Sequence, residues 1–169
     1  MTTPRNMYVQ QIEAVLEEGD LVEFVRANGV FTHHGVYVGN GEIIHLGLER
    51  KDNPRNLPSL LSAPGRCEVR KDKLTDVAKH SDVSVNNRYD NTIQPFTKTE
   101  IVKRAYRRLG EKGYNPLFYN CEHFATECRY GKPLSSQIER LEEVGKLVVD
   151  TGLELIKDRA FPAGIKQLF

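Results

Sequence analysis

Short apolar runs alternate with turn residues over the first half of the chain, and this pattern predicts a sheet. From residue 21 the runs LVEFV, GVYVG and EIIHL are separated by Asn28-Gly29 and Gly39-Asn40-Gly41, which are typical turn sequences. We therefore expect three successive antiparallel strands. A proline-rich, charged stretch at 48–66 should form a surface loop. Beyond it, CEVRKDKL and DVSVNNRYD predict about two more strands.

After Lys98 the apolar residues recur at the spacing of a helix. Four of them predict an amphipathic helix that ends at Gly110 or Gly113, namely Ile101, Val102, Ala105 and Leu109. A second helix should begin at Asn120, a favourable N-cap, and stop at Gly131. Apolar spacing also predicts a terminal helix over 134–158 and, more weakly, a short helical lead-in over 1–18 with Val9, Ile12, Val15 and Leu16 inward.

The composition fits one globular α+β domain. The chain has 169 residues, of which 39% are hydrophobic and 28% charged, enough apolar material for one core. A net charge of +1 argues against nucleic-acid binding through global charge. Three cysteines cannot pair completely, and the opening MTTPRNMYVQQ has no apolar signal-peptide core, so we expect a reducing, cytoplasmic location. No apolar run approaches the roughly 18 residues of a membrane-spanning helix.

The segment YNCEHFATECRYG carries the strongest chemical signal. Cys121 takes the first helical position after Asn120, where unpaired N–H groups and the helix dipole favour a thiolate. Cys128 shares its face, so we expect Cys121 at the boundary between helix and sheet. Alternatively, Cys121 is an ordinary buried cysteine, or a zinc ligand with His123 and Cys128. His123 points to a different side of the helix, which argues against zinc and against His123 as the base for Cys121.

A partner histidine must come from the hairpin GVFTHHGVYVGNGEIIHLG, which contains His33, His34 and His45. A two-residue loop would pair positions whose numbers sum to 81 and place His45 with His34. A three-residue loop, Gly39-Asn40-Gly41 with its last glycine left-handed, pairs positions that sum to 80 and places His33 with His45. We predict the second register, because it gathers one continuous apolar face from Val36, Val38, Ile44 and Leu46.

A nucleophilic cysteine needs a base to take its proton and a third group to orient that base. Cys121, His33 and His45 can fill these roles. For a single histidine, a half-exposed strand position is the simpler interpretation, but two on one face favour a functional one. We expect His34 at an edge or core position and His80, in VAKHSDV, in a solvated loop.

At these residues the sequence resembles the lecithin:retinol acyltransferase-like (LRAT-like) family, whose signature is an Asn-Cys-Glu-His-Phe box after a His-bearing hairpin. Here the box is NCEHF at 120–124, followed by CRYG at 128–131. The upstream parts occur in the family's order: GDL at 19–21, His33, VYVG at 36–39 and HL at 45–46. VNNRYD at 85–90 is most similar to the phospholipase A and acyltransferase branch.

The resemblance implies a circularly permuted papain-like fold, similar to NlpC-type hydrolases. It implies Cys121 as nucleophile, His33 as general base and His45 as the orienting residue, with no metal or organic cofactor. A glycerophospholipid would leave an acyl thioester on Cys121, which water, the amine of phosphatidylethanolamine or a lysophospholipid would clear. The implied organisation is a lead-in at 1–18, a catalytic domain at 19–134 and an amphipathic helical tail at 135–169.

Two rival functions remain on the sequence alone: an NlpC-type cysteine peptidase or amidase, and a non-catalytic interaction module. The tail carries acidic and basic residues among its apolar ones, which argues against stable membrane insertion. The helix after Lys98 is basic and either contacts anionic headgroups or is simply a solvated face. Peripheral membrane contact is therefore a further expectation, and the oligomeric state is left open.

Overall fold

The computed structural model describes residues 4–26, 31–48, 67–79, 81–114 and 120–136. The predicted loop at 49–66, His80 and the predicted terminal helix beyond residue 136 lie outside the described residues. The chain divides into two compact units, Met1–Leu134 and Ser135–Phe169. Most of the described residues belong to the first unit.

A six-stranded antiparallel sheet forms the centre of this unit, as the sequence pattern predicts. Its strands are β1 Leu21–Arg26, β2 Phe31–Tyr37, β3 Glu42–Leu48, β4 Cys67–Lys73, β5 Asp82–Val85 and β6 Lys112–Tyr114. Their spatial order is β5-β1-β2-β3-β4-β6. The predicted fifth strand is shorter than DVSVNNRYD, and the last strand, KGY, is too short to show an alternating pattern.

Four helices accompany the sheet: α1 Pro4–Glu13, α2 Leu74–Val77, α3 Lys98–Arg107 and α4 Cys121–Tyr130. The two predicted central helices are present, and Gly131 ends α4 in the left-handed conformation as expected. The predictions that two residues belong to the apolar faces of these helices are wrong. Val15 follows the end of α1 and is 67% exposed, and Leu109 follows α3 and is 38% exposed.

Apolar side chains cover both faces of the sheet. The face that packs on α3 and α4, here called the α4 face, carries Leu21, Val36, Val38, Ile44, Leu46 and Val69. The opposite face, here called the α1 face, carries Val22, Phe24, Tyr37 and Ile43, which pack with residues of α1 and α2. Amphipathic helices cover each face of the sheet. Both faces are therefore buried although the strands are not apolar throughout.

The hairpin of β2 and β3 has the predicted register. Gly35 pairs with His45, and Tyr37 pairs with Ile43. Gly41 has φ of +68°, which is the left-handed conformation that a three-residue loop needs at its end. His33 and His45 therefore lie on one face of the hairpin, the α1 face.

The two strands of this hairpin part beyond Gly35 and His45. Pairing of β2 with β3 stops at that pair, although β2 continues to pair with β1 as far as Phe31. Likewise β3 continues to pair with β4 as far as Leu48. Beyond Gly35 and His45, β2 is therefore held by its pairing with β1, and β3 by its pairing with β4.

Candidate active site

The start of α4 is fixed by a reciprocal cap. The side-chain oxygen of Asn120 accepts hydrogen bonds from the N–H groups of Glu122 and His123, both at 3.0 Å. His123 Nδ1 accepts in return from the Asn120 N–H at 3.1 Å. The ring of His123 is therefore committed to capping the helix that carries Cys121.

The Cys121 thiol is buried at the start of this helix, on the α4 face of the sheet. Its exposure is 7%, and the backbone N–H groups of His34, Glu122 and Cys121 itself face the sulfur. Burial raises the thiol pKa to about 11, and these N–H groups offset only part of that effect. Desolvation therefore opposes the thiolate that the helix start favours, and it outweighs the backbone dipoles.

Two histidines and one aspartate form a hydrogen-bonded chain on the other face. His33 Nε2 lies 2.9 Å from His45 Nδ1, and His45 Nε2 lies 2.9 Å from Asp72 Oδ2. The exposed fractions of His33 and His45 are 6% and 4%. Their rings are nearly perpendicular, with centroids 4.9 Å apart.

This chain sets which nitrogen of each ring carries its proton. A carboxylate only accepts, so His45 donates from Nε2 to Asp72 and keeps an unprotonated Nδ1. That Nδ1 accepts from His33 Nε2–H. The Nδ1 of His33 is left as a lone pair, which is the state a general base requires.

Charge and burial keep the His33 ring neutral. Burial lowers its pKa well below the usual 6.5, and electrostatic repulsion from His45 and Arg26 lowers the pKa further. Arg26 lies at the end of β1, where Val77 and Ser81 accept from its guanidinium at 3.0 and 3.2 Å. Burial also lowers the pKa of His45, against the opposing effect of Asp72.

The Cys121 sulfur lies beside β2, close to the point where pairing of β2 with β3 stops. Cys121 belongs to the α4 face and His33 to the α1 face. The sulfur nevertheless contacts the His34 N–H, which is one peptide bond from His33. Pairing of β2 with β3 stops next to these residues, at Gly35 and His45.

His34 has the interior position expected of it. It faces the α4 side, is 3% exposed and lies 3.9 Å from a carboxylate oxygen of Glu23. Burial lowers its pKa, while the charges of Glu122 and Glu23 oppose that shift. Its ring is therefore separated by the sheet from the pair formed by His33 and His45.

Within the described ranges, no group of three or more His, Cys, Asp or Glu side chains is placed to hold a metal ion. All three cysteines are buried and free of disulfides. Within the same ranges, the helices are too short and too polar to cross a bilayer.

Comparison with known proteins places this site in a family. The family model described as lecithin retinol acyltransferase matches residues 14–134, which include Cys121, both paired histidines and Asp72. The chain belongs to the lecithin retinol acyltransferase family. The resemblance seen in the sequence is thereby confirmed.

Several relatives within this family have curated names. Rat lecithin retinol acyltransferase is 34% identical over 147 residues, which are 78% of this chain and 62% of that protein. Mouse phospholipase A and acyltransferase 3 is 36% identical over 122 residues, covering 71% of this chain and 74% of the relative. Human phospholipase A and acyltransferase 4 is 35% identical over 130 residues, with 75% and 78% covered.

Sequence reasoning missed Asp72 in this family member's site. The alternation of CEVRKDKL places Arg70 and Asp72 on one face of β4. The structure pairs Arg70 with His45 in the β3–β4 ladder, so that face is the one that carries both histidines. Finding Asp72 would have required the register of β3 with β4. The loop sequence between these two strands does not predict that register.

Proposed function

We propose that this chain is a thiol-dependent phospholipid acyl hydrolase and acyltransferase. Cys121 is the nucleophile, His33 the general base and His45 the residue that orients His33. The observation that carries the proposal is the unprotonated Nδ1 of a neutral, buried His33, one peptide bond from an N–H that faces the Cys121 sulfur. The names of the phospholipase A and acyltransferase relatives support a phospholipid ester as the acyl donor.

Proton transfer accompanies attack instead of preceding it. The buried thiol holds its proton at neutral pH, and the pKa of His33 lies well below 6.5. A preformed thiolate–imidazolium pair is therefore unfavourable in the empty site. As sulfur bonds to the ester carbonyl, the thiol proton passes to His33 Nδ1. Collapse of the tetrahedral intermediate then returns that proton to the departing lysophospholipid oxygen.

One backbone donor of the helix start suits the developing oxyanion. The cap engages the N–H groups of Glu122 and His123, and the carbonyl of Asn120 accepts from Phe124. The N–H of Cys121 lies outside this cap and faces the sulfur. It is positioned to donate to an oxygen on the carbon that sulfur attacks.

The second half-reaction clears the thioester. Water deprotonated by His33 gives phospholipase A activity. The amine of phosphatidylethanolamine or a lysophospholipid hydroxyl gives acyl transfer. Rat lecithin retinol acyltransferase is named for retinol, but the sequence is most similar to the phospholipase A and acyltransferase branch at VNNRYD, so retinol is the less favoured acceptor.

Membrane contact through the basic helix α3 has little electrostatic support. Four of the six cations between Lys98 and Lys112 are already paired with carboxylates: Lys98 with Glu17, Arg107 with Glu100, Arg108 with Glu111 and Glu127, and Lys112 with Glu68. Such pairs reduce the net field that anionic headgroups would meet. We expect vesicle flotation of the full chain to depend only weakly on salt, and a steep loss of binding at high salt would restore this helix as a docking surface.

Intact-protein mass spectrometry after brief incubation with phosphatidylcholine vesicles tests the proposed function. The wild type should gain one fatty acyl group, while Cys121→Ser and His33→Ala should not. Cys128→Ser is the matched control, because Cys128 is also buried on α4 but lies two turns from the helix start. It should acquire the adduct at the wild-type rate.

The absence of both an adduct and lysophospholipid would overturn the phospholipid proposal. Hydrolysis of amide substrates that depends on Cys121 would then support an NlpC-type amidase. No turnover of either class would favour an interaction module.

A further inference from the structure

Asp72 is the acidic end of the histidine chain. It lies on β4 and its side chain is 11% exposed. The same oxygen, Oδ2, accepts hydrogen bonds from His45 Nε2 at 2.9 Å and from Arg70 Nε at 2.5 Å. The carboxylate is therefore held from two directions, by a buried ring and by a half-buried guanidinium.

The neighbouring residues leave room for this contact. A Cβ on Gly47 would lie 2.9 Å from His45 Cε1 and 3.3 Å from Arg70 Nε. A Cβ on Gly35 would lie 3.0 Å from His45 Cβ. A side chain at position 47 would therefore crowd the ring of His45, and one at position 35 would crowd the start of its side chain.

The carboxylate determines more than the position of one ring. Without an acceptor at Nε2, His45 can carry its proton on Nδ1 instead. It would then donate to His33 Nε2, and His33 would carry its own proton on Nδ1. That arrangement presents an N–H to the Cys121 sulfur, where the reaction requires a lone pair.

We propose that Asp72 is a positioning residue that fixes the tautomers of His45 and His33 and so keeps Nδ1 of His33 available to the Cys121 thiol. The proposal extends the three expected site residues to a chain of four, Cys121, His33, His45 and Asp72, and its catalytic consequence rests on the proposed function. Asp72 contacts this chain of residues through His45. It acts through two rings, and its own proton count does not change during the reaction.

Imidazole nitrogen NMR of the ¹⁵N-histidine-labelled full chain tests the tautomers directly. His33→Ala and His45→Ala spectra assign the two rings. In the wild type both rings should show a protonated Nε2 and an unprotonated Nδ1 at neutral pH. In Asp72→Asn, whose amide can donate to His45 Nε2, both rings should show the other tautomer or an exchange-averaged mixture.

Activity provides the second measurement, with a control on the same two strands. Asp72→Asn should slow thioester formation by about 10- to 100-fold with little change in KM, because the wrong tautomer impairs the chemical step and not lipid binding. Asp72→Glu, which restores a carboxylate, should recover part of the rate. Glu42→Gln removes a partly exposed ion pair with Lys71 at 2.7 Å and should leave both the rate and the ring spectra unchanged.

The results separate this proposal from the proposed function. Wild-type and Asp72→Asn spectra with identical tautomers, or a wild-type ring protonated on Nδ1, would overturn the role of Asp72 whatever the activity. If Asp72→Asn does not fold, the wild-type spectrum and Asp72→Glu still decide the matter. A wild type that forms no thioester would overturn the proposed function, while the spectra would still report whether Asp72 fixes the two rings.

Discussion

At the residue scale, the site joins a thiol and an imidazole that are both neutral at rest. Burial of Cys121 disfavours the thiolate, and burial of His33 disfavours the imidazolium. A neutral thiol is a weak nucleophile. Because both groups stay neutral, the site without substrate does not have to hold a buried thiolate–imidazolium pair. In the proposed mechanism, charge arises only when an ester carbonyl is present to receive it.

Alkylation of Cys121 tests this resting state. With a thiol pKa of about 11, the rate of modification by iodoacetamide should rise about tenfold per pH unit between pH 7 and 10. His33→Ala should alkylate at nearly the wild-type rate, although it forms no thioester. Peptide mass spectrometry distinguishes Cys121 from Cys128, whose pKa of about 12 should keep it largely unmodified. A rate that levels off below pH 8 and depends on His33 would instead indicate a preformed ion pair.

The glycines beside His45 provide a second residue-scale prediction. In Gly47→Ala the new methyl group would meet the ring of His45 and the side chain of Arg70, so we expect a loss of thioester formation with a small change in stability. In Gly35→Ala it would lie 2.8 Å from Ile43 Cγ1, within the core of the α1 face, and should cost about 1–3 kcal/mol. Thermal unfolding and acylation rates measure the two effects. Equal losses of stability would contradict the distinction.

At the element scale, the cap of α4 fixes the position of Cys121, the proposed nucleophile. Asn120→Ala removes the acceptor of two N–H groups and should lower stability by about 1 kcal/mol. Thr97→Ala is the matched control, because Thr97 caps α3 through the Glu100 N–H at 3.3 Å. Its stability loss should be similar. Only Asn120→Ala should also slow acylation of the folded protein, because only α4 begins with the attacking thiol.

Local signals explain which elements the sequence predicts. The hairpin register follows from Gly41, which supplies a left-handed turn, and from Val36 and Ile44, which must share the buried face. The bounds of α4 follow in the same way from Asn120 and Gly131. These residues specify their conformation through near neighbours, so a single sequence is sufficient.

Contacts between distant segments explain what the sequence does not predict. Asp72 reaches His45 only through the register of β3 with β4. The point at which β2 stops pairing with β3 depends on their different neighbours. The four residues of α2 and the three of β6 are too short for any periodic pattern. The high thiol pKa likewise results from burial that the helix-start argument leaves out.

At the scale of the whole first unit, one buried arginine connects the far end of α4 to segments from elsewhere in the chain. Arg129 donates to both carboxylate oxygens of Asp90 at 3.0 and 2.6 Å and to the Gly19 carbonyl at 2.8 Å. Tyr130 donates to the same carboxylate at 2.8 Å. The segment before β1, the turn after β5 and the helix of the nucleophile are thus fastened together. The similarity of VNNRYD to the family therefore has a structural basis in Asp90.

This connection should make stability depend on pH in a defined direction. The hydrogen bonds from Arg129 hold the Asp90 pKa below its usual 3.8. A group with a depressed folded-state pKa stabilises the fold above its unfolded pKa and loses that contribution as pH falls through the folded value. Asp90→Asn should therefore lower the free energy of unfolding by about 1–2 kcal/mol at pH 7, a modest figure because the carboxylate is partly exposed. The difference from wild type should shrink below about pH 4.

Urea unfolding at several pH values measures this difference. Asp76→Asn is the control, because Asp76 forms only an exposed pair with Lys79 at 3.0 Å, and it should change stability by less than about 0.5 kcal/mol at any pH. A difference between Asp90→Asn and wild type that persists unchanged at pH 3 would mean that Asp90 stabilises the fold without its charge. Arg129 and Cys121 lie at opposite ends of α4. The folded fraction of Asp90→Asn should therefore still form the thioester at close to the wild-type rate. This result would separate the stability of the fold from the chemistry of the proposed active site.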